Sequence, residues 1–259
     1  MISSKAIPKK SFGVPKYAAM TAPKLSDPTA VPAAMRGVAG SEAIEDYAKA
    51  IYALAGRADG PVSTSAIATR LDISAGSVTA MVKRMGELGL VSHQPYHGVT
   101  LTDAGERVAL EVIRHHRLIE SYLADALGMS WDRVHDEAEV LEHYISEELE
   151  ELIAAALGDP SHDPHGDPIP GRDLSLSDVK SQSLDELEPP LEATFSRVSD
   201  SDPAMLRYLA ERGIRPGVAL EVLERQPFGG PLFIAVAGER HAIGGELARR
   251  MLVTVGEAR

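Results

Sequence analysis

The sequence of 259 residues contains no cysteine. That absence excludes disulfides, thiolate zinc sites, iron–sulfur clusters and cysteine nucleophiles, so nitrogen, oxygen and at most a methionine sulfur must hold any bound metal. No apolar run reaches the roughly 18 residues that a membrane helix needs. The N-terminal lysines are not followed by the apolar block of a secretory signal. We therefore expect a cytoplasmic protein with no membrane partner.

The motifs of common enzyme classes are also missing. We find no His-Glu-x-x-His, no Gly-x-Ser-x-Gly, no phosphate-binding loop and no dinucleotide fingerprint. The inverted zinc-peptidase motif His-x-x-Glu-His would need a histidine at position 139, where Glu139 stands. The sequence therefore favours a protein that is not an enzyme and uses no organic cofactor, with a metallohydrolase as the alternative from another class.

Basic residues are scarce in the middle of the chain. The net charge is −12, and residues 120–200 contain 21 acidic residues but only four basic ones. Residues 1–40, in contrast, contain six basic residues and one acidic residue. An acidic block of this kind is usually a solvated surface, and the other interpretation is that some of its carboxylates bind a cation.

The distribution of apolar and turn-forming residues divides the chain into parts. The pattern at 63–102 is typical of a winged helix-turn-helix, with a short helix, a turn, a second helix and a hairpin. Alternating stretches at 192–198, 218–225, 231–237 and 251–255 predict strands. The predicted divisions are a disordered extension (1–40), a winged helix-turn-helix whose first helix is capped by Ser41 (41–102), a helical domain (103–158), a proline-rich linker (159–190) and a small β-barrel (191–259).

The second helix of the helix-turn-helix has two faces. Val78, Met81, Val82 and Met85 are spaced to pack inward. The other side carries small and basic residues, which are suited to a close approach to base edges in the major groove and to contacts with phosphates. A winged helix used for protein contact is the alternative. The candidate DNA-binding residues are Ser74, Gly76, Ser77, Thr79, Ala80, Lys83 and Arg84.

Acidic residues and histidines cluster in the helical part. On a helix, Glu139, Glu142 and His143 share one face because they are three and four residues apart. His116 and Glu120, four apart, stand on the preceding long helix, predicted at 103–126. Spacing alone is compatible both with a divalent-metal site and with a solvated acidic face.

Three motifs together resemble a known family. They are His-Arg-Leu-Ile-Glu at 116–120, Val-His-Asp-Glu-Ala-Glu-Val-Leu-Glu-His at 134–143, and Asp-Pro-His-Gly-Asp-Pro-Ile-Pro-Gly at 163–171. With the winged helix before them, they resemble the diphtheria toxin repressor family of metal-dependent regulators, and more closely its manganese-responsive branch. The resemblance implies an α+β protein with a winged helix-turn-helix, an all-α dimerisation domain and a C-terminal SH3-like (FeoA-like) β-barrel.

The resemblance also implies two sets of metal ligands. The primary set is Asp46, His116, Glu139, Glu142 and His143. The ancillary set is Glu120, His135, Asp163, His165 and Asp200. Small manganese-type members have a glutamate where this chain has Lys49, which argues for a separate second site here instead of a closely spaced pair of ions.

The ligand types predict the metal. Asp46 and Glu139 stand where iron-type members of the family have methionine and cysteine. Because hard oxygen donors suit Mn²⁺, we expect manganese, with Fe²⁺ as the alternative. The function implied is a manganese-dependent repressor that binds palindromic operator DNA as a metal-activated homodimer and controls metal-ion uptake. The alternative is an iron-dependent repressor of the same family.

Overall fold

The computed structural model describes residues 42–58, 60–94, 97–177 and 180–256. The extension predicted for residues 1–40 and the cap predicted at Ser41 lie outside them. The described chain consists of helices with a two-stranded hairpin, then a group of helices, then a six-stranded antiparallel sheet with short helices. This confirms the predicted α+β class.

The first part is a winged helix-turn-helix. Ser74 begins its second short helix by accepting a hydrogen bond from the Ser77 amide at 3.1 Å, as an N-cap serine does. Val78, Val82 and Met85 are buried in the core of this part, and Met81 is half-buried. The elements are α1 (Glu42–Ala58), α2 (Thr64–Leu71), α3 (Ala75–Glu87), β1 (Val91–Gln94) and β2 (Gly98–Leu101).

The second part is helical and contains the acidic motifs. The helix predicted to carry Glu139, Glu142 and His143 on one face ends before the last two, since Glu142 is its C-cap residue. Ser146 then caps a new helix by accepting from the Leu149 amide at 3.2 Å, so the chain turns between the two helices. The elements are α4 (Asp103–Asp125), α5 (Val134–Leu141) and α6 (Glu147–Leu157).

The third part is a six-stranded antiparallel sheet in the order β3-β8-β4-β5-β6-β7. Strand β3 and a 3₁₀ turn (Leu184–Glu186) lie within the segment predicted as a linker, and β3 pairs with β8. The elements are β3 (Gln182–Ser183), β4 (Leu191–Val198), α7 (Pro203–Ala210), β5 (Ala219–Arg225), β6 (Leu232–Val236), β7 (Glu239–Ile243), α8 (Gly245–Arg250) and β8 (Met251–Thr254).

Strand β7 was not predicted from the sequence. It pairs with β6 across a two-residue turn at Ala237 and Gly238, whose φ angles are +50° and +84°. Asparagine or aspartate usually precedes the glycine in such a turn, and alanine gives no such signal.

Trp131 connects the second and third parts. It is the single tryptophan of the chain, and its buried side chain belongs to the same core cluster as Phe195, Leu206 and other apolar residues of the sheet part. Arg207 of α7 donates to Asp132 at 3.0 Å beside it. Because a buried indole removes a large apolar area from water, this contact positions the sheet against the helices that carry the acidic motifs.

Candidate metal centre

Among the residues that the structure describes, side chains that can ligate a metal gather in four overlapping groups, in each of which the ligand atoms lie within 4.8 Å of one another. Every residue predicted as a primary or ancillary ligand is in at least one of them. The groups are Asp46, Glu142 and His143; His116, Glu139 and Glu142; His116, Glu120, His135 and Asp200; and Glu120, Asp163 and His165.

We call Asp46, Glu142 and His143 the first centre. His143 Nε2 is 3.2 Å from Asp46 Oδ1 and 3.7 Å from Glu142 Oε1. Asp46 lies on α1 of the winged helix, whereas the other two lie at the end of α5. The centre therefore joins the DNA-binding part to the helical part.

Glu45 orients the imidazole of the first centre. Its carboxylate accepts a hydrogen bond from His143 Nδ1 at 2.6 Å, which leaves Nε2 facing Asp46. A carboxylate behind a histidine is the usual support of a metal-ligating imidazole, because it sets the tautomer and the ring orientation.

The first centre is unfavourable for negative charge in the absence of a cation. Burial raises the pKa of Asp46, and although His143 lowers it, the nearby charges of Glu142 and Glu139 raise it further. A divalent ion between these groups would remove that repulsion, so the first centre fits such an ion.

The second group already contains a cationic side chain. Lys49 Nζ donates to Glu139 Oε1 at 2.7 Å and to both oxygens of Glu142 at 2.9 and 2.8 Å, and it lies 3.2 Å from His116 Nδ1. We call His116, Glu139 and Glu142 the Lys49 cluster.

The remaining two groups share Glu120, and we call Glu120, His135, Asp163, His165 and Asp200 the second centre. Glu120 is fully buried, and its Oε1 is 3.1 Å from Nε2 of His116 and 3.4 Å from Nδ1 of His135. Asp200, which follows β4 in the third part, is 3.1 Å from His135. All three parts that the structure describes therefore contribute to one centre or the other.

Two buried atoms of the second centre lack hydrogen-bond partners. His165 Nε2 donates to the Trp131 carbonyl at 2.7 Å, so Nδ1 points to the opposite side. There it faces Glu120 Oε2 at 3.6 Å, and neither atom makes a hydrogen bond. Buried polar atoms are rarely left in this way. A metal ion ligated by both atoms would satisfy them, so the second centre also fits a divalent ion.

Three groups of the second centre, His135, His165 and Asp163, hold protons at neutral pH. Burial by itself would lower the pKa of both histidines, but hydrogen bonds to Asp200 and Glu120 raise the pKa of His135 to about 10, and interactions with Glu120 and Asp163 raise the pKa of His165 to about 9. Burial, with the nearby Asp167 and Glu120, raises the pKa of Asp163 to about 8.

Gly166 allows the loop of the second centre to pack against the sheet. Its φ is +87°, and a Cβ there would lie 1.9 Å from the Ser196 carbonyl oxygen of β4. Beside it, the Val198 amide donates to the His165 carbonyl at 3.0 Å. The loop also depends on Asp163, whose Oδ1 accepts from the amides of His165 and Asp167.

The outer face of α3 is open to solvent. The Thr79 hydroxyl donates a hydrogen bond to the carbonyl of Ala75 at 2.9 Å. Lys83 forms a loose ion pair with Glu87 at 3.9 Å. All candidate DNA-binding residues are exposed, and these are Ser74, Gly76, Ser77, Thr79, Ala80, Lys83 and Arg84.

Two residues that support these centres, Glu45 and Trp131, are not predicted from the sequence. The contacts of Lys49 are not predicted either. Glu45 precedes a predicted ligand, and an acidic residue next to Asp46 is the signal that could have found it. Trp131 gives no local signal, since its contacts with His165 and the sheet are made by residues distant in the chain. Lys49 was noted only as a departure from the family pattern, with no indication of its four contacts.

Family models match most of the described chain. They are "Iron dependent repressor, N-terminal DNA binding domain" at residues 41–99, "Iron dependent repressor, metal binding and dimerisation domain" at 102–171, and "FeoA domain" at 182–255. The iron-dependent repressor IdeR of Mycobacterium leprae is 31% identical over 221 residues, which cover 81% of this chain and 95% of IdeR. The chain belongs to the diphtheria toxin repressor family. It is a metal-dependent transcriptional repressor of that family and not an enzyme.

Solved structures agree with this assignment. A manganese-dependent transcriptional repressor in complex with manganese is 40% identical, with a TM-score of 0.76 over 82% of this chain and 99% of that one. The manganese regulator SloR is 32% identical, with a TM-score of 0.66 over 82% of this chain and 98% of SloR. These similarities confirm the predicted order of winged helix, helical part and SH3-like sheet. No described helix combines the length and hydropathy of a membrane span.

Proposed function

We propose that this protein is a manganese-dependent repressor that acts in the cytoplasm, binds palindromic operator DNA as a homodimer and controls genes for metal-ion uptake. The observation that carries the proposal is the first centre. Asp46 belongs to the DNA-binding part, and its ligand atom lies within 4.8 Å of those of Glu142 and His143 in the helical part.

The centres supply the physical basis of a metal switch. A bound divalent ion supplies positive charge that offsets the repulsion among the carboxylates. Asp46 would then hold α1 against the end of α5, and with it the orientation of α3. The coupling between metal and DNA is expected to be about 1–3 kcal/mol per site, as in other allosteric pairs.

The ligand types favour manganese. Asp46, Glu139 and Glu142 offer carboxylate oxygens, the histidines offer imidazole nitrogens, and the chain has no cysteine to select a softer metal. An iron-dependent repressor is the second candidate, and the 31% identity to IdeR is the observation that favours it.

An exposed apolar surface supports the homodimer. Tyr144 and Val140 are 70% and 62% exposed, and they lie at the end of α5 next to α6. Several large apolar side chains exposed on two successive helices are a candidate contact with another protein. We propose that a second copy of the chain covers this surface, which comprises Val140, Leu141, Tyr144, Leu149 and Leu152.

The proposed function predicts metal-dependent DNA binding. With two first centres in a dimer, we expect Mn²⁺ to raise the affinity for operator DNA at least about 30-fold over the affinity in excess chelator. Fluorescence anisotropy with DNA selected from a random pool in the presence of Mn²⁺ measures this. Anaerobic titration with Fe²⁺ in the same assay separates the two candidate ions.

The matched control for DNA binding is the double variant Lys83→Ala and Arg84→Ala. Because phosphate contacts add affinity without sequence information, it should weaken binding to every DNA while leaving the amount of bound Mn²⁺ unchanged. Equal DNA binding by the wild type with Mn²⁺ and with chelator would contradict the proposal.

The raised pKa values predict that metal binding releases protons. His135, His165 and Asp163 hold protons at neutral pH, and ligation of a metal must displace them. We therefore expect the affinity of the second centre for Mn²⁺ to rise with pH between about 6 and 9. Calorimetry in buffers of different ionisation enthalpy counts the protons released, with the exposed variant His93→Gln as the control. Uptake without proton release would contradict the assignment of these ligands.

A further inference from the structure

The ammonium group of Lys49 occupies the Lys49 cluster. Nζ lies between 2.7 and 3.2 Å from atoms of Glu139, Glu142 and His116. An ammonium has three N–H donors and no acceptor, so one lysine serves the carboxylates of Glu139 and Glu142, while His116 Nδ1 lies 2.5 Å from Oε2 of Glu142. The side chain is only 18% exposed, and that of Glu142 is fully buried.

A divalent ion bound by the same three groups would have to take the position of Nζ. An ammonium next to a divalent ion in a half-buried site is repelled strongly, because little water screens the two charges. The Lys49 cluster can thus hold the lysine or an additional metal ion, but not both.

The first centre keeps its own ligand atoms beside this lysine. Asp46 and His143 make no hydrogen bond with Lys49, and their contact runs between Nε2 and Oδ1 at 3.2 Å. Glu142 contacts Lys49 through both oxygens, but a carboxylate has about four lone-pair positions and can serve a metal as well. Glu139 is held by Lys49 through Oε1, so its other oxygen also remains available.

We propose that Lys49 is a built-in cation that fills the Lys49 cluster, so that the first centre binds a single divalent ion. The inference rests on the proposed function and names the number of ions that this site takes. Lys49 lies on α1 of the DNA-binding part, and its hydrogen bonds reach Glu139 and Glu142 of the helical part.

The test compares two substitutions at this position. Lys49→Gln removes the charge and supplies an amide oxygen, so it should allow one more Mn²⁺ per chain than the wild type binds. Two Mn²⁺ bridged by Glu142 would be about 4 Å apart, as in other two-metal sites, and exchange coupling between them changes the electron paramagnetic resonance spectrum. Lys49→Arg keeps the charge and should bind as many ions as the wild type, without coupling.

Equilibrium dialysis followed by elemental analysis counts the ions, and Lys180→Gln, at an exposed lysine outside the clusters, is the control. If Lys49→Gln gains no ion, or if wild-type protein shows an exchange-coupled pair that Asp46→Ala removes, the inference is wrong while the proposed function stands. If wild-type protein binds no Mn²⁺, the proposed function fails and the inference with it.

Discussion

Replacing Asp46 with alanine is expected to abolish Mn²⁺-dependent DNA binding while the protein stays dimeric. Asp46 is the ligand that α1 contributes to the first centre, and His143 lies 3.2 Å from it. Without this carboxylate, an ion held by Glu142 and His143 no longer connects the two parts. The gain in DNA affinity on adding Mn²⁺, at least about 30-fold in the wild type, should fall to about onefold.

The loss is not expected to come from unfolding. Burial and the neighbouring carboxylates raise the pKa of Asp46, which means that the folded protein disfavours the ionised form. At neutral pH the charge therefore lowers stability in the absence of metal. Asp46→Ala should then melt at or above the temperature of the wild type in excess chelator.

Size-exclusion chromatography with light scattering, anisotropy and thermal melting together test this prediction. Asp125→Ala, which removes an exposed carboxylate at the end of α4, is the matched control and should behave as the wild type in all three. A monomeric Asp46→Ala protein would show that the residue belongs to the dimer contact. Retained Mn²⁺ dependence would show that it is not a ligand.

Replacing Glu120 with glutamine is expected to disable the second centre. Trp131 stacks on His165 with ring centroids 5.7 Å apart and an interplanar angle of 18°. Paramagnetic Mn²⁺ on His165 would quench the fluorescence of this single tryptophan. Because Glu120 faces His116, His135 and His165, the substitution should remove the quenching and leave Mn²⁺ binding at the first centre.

The same substitution should lower stability in excess chelator. Burial alone would raise the pKa of Glu120, but interactions with His116, His135 and His165 outweigh it and hold the pKa well below 4.5. Breaking a buried charge pair costs about 3 kcal/mol. The pairing is fully present above the ordinary pKa of glutamate and below that of histidine, 6.5, and is lost as the pH rises through the raised pKa of His165, about 9.

Urea denaturation near pH 6 and above pH 9 measures this difference, with Glu188→Gln, at an exposed glutamate, as the control. The free energy of unfolding of Glu120→Gln should fall below that of the control by about 3 kcal/mol near pH 6, and by less above pH 9. Quenching that persists in Glu120→Gln would place the Mn²⁺ elsewhere.

Local sequence patterns were enough to predict many of the helices and strands of this protein. Apolar and turn residues predicted the two helices of the helix-turn-helix, and the long helix predicted at 103–126 is observed as α4 at Asp103–Asp125. Alternation predicted most of the sheet. The resemblance to the family implied the ligand residues, and all but Asp46 and Asp200 stand in the three short motifs. Residues three or four apart on α4, such as His116 and Glu120, are neighbours whatever the rest of the chain does.

Only the tertiary structure decided which ligands meet. Asp46 and His143 are brought together by the packing of α1 against the helical part, and Trp131 reaches the core of the sheet. Local propensity carries no information about such contacts, since they depend on how whole faces pack. For the same reason, the position of the Lys49 ammonium among three candidate ligands follows from the fold and not from its neighbours in sequence.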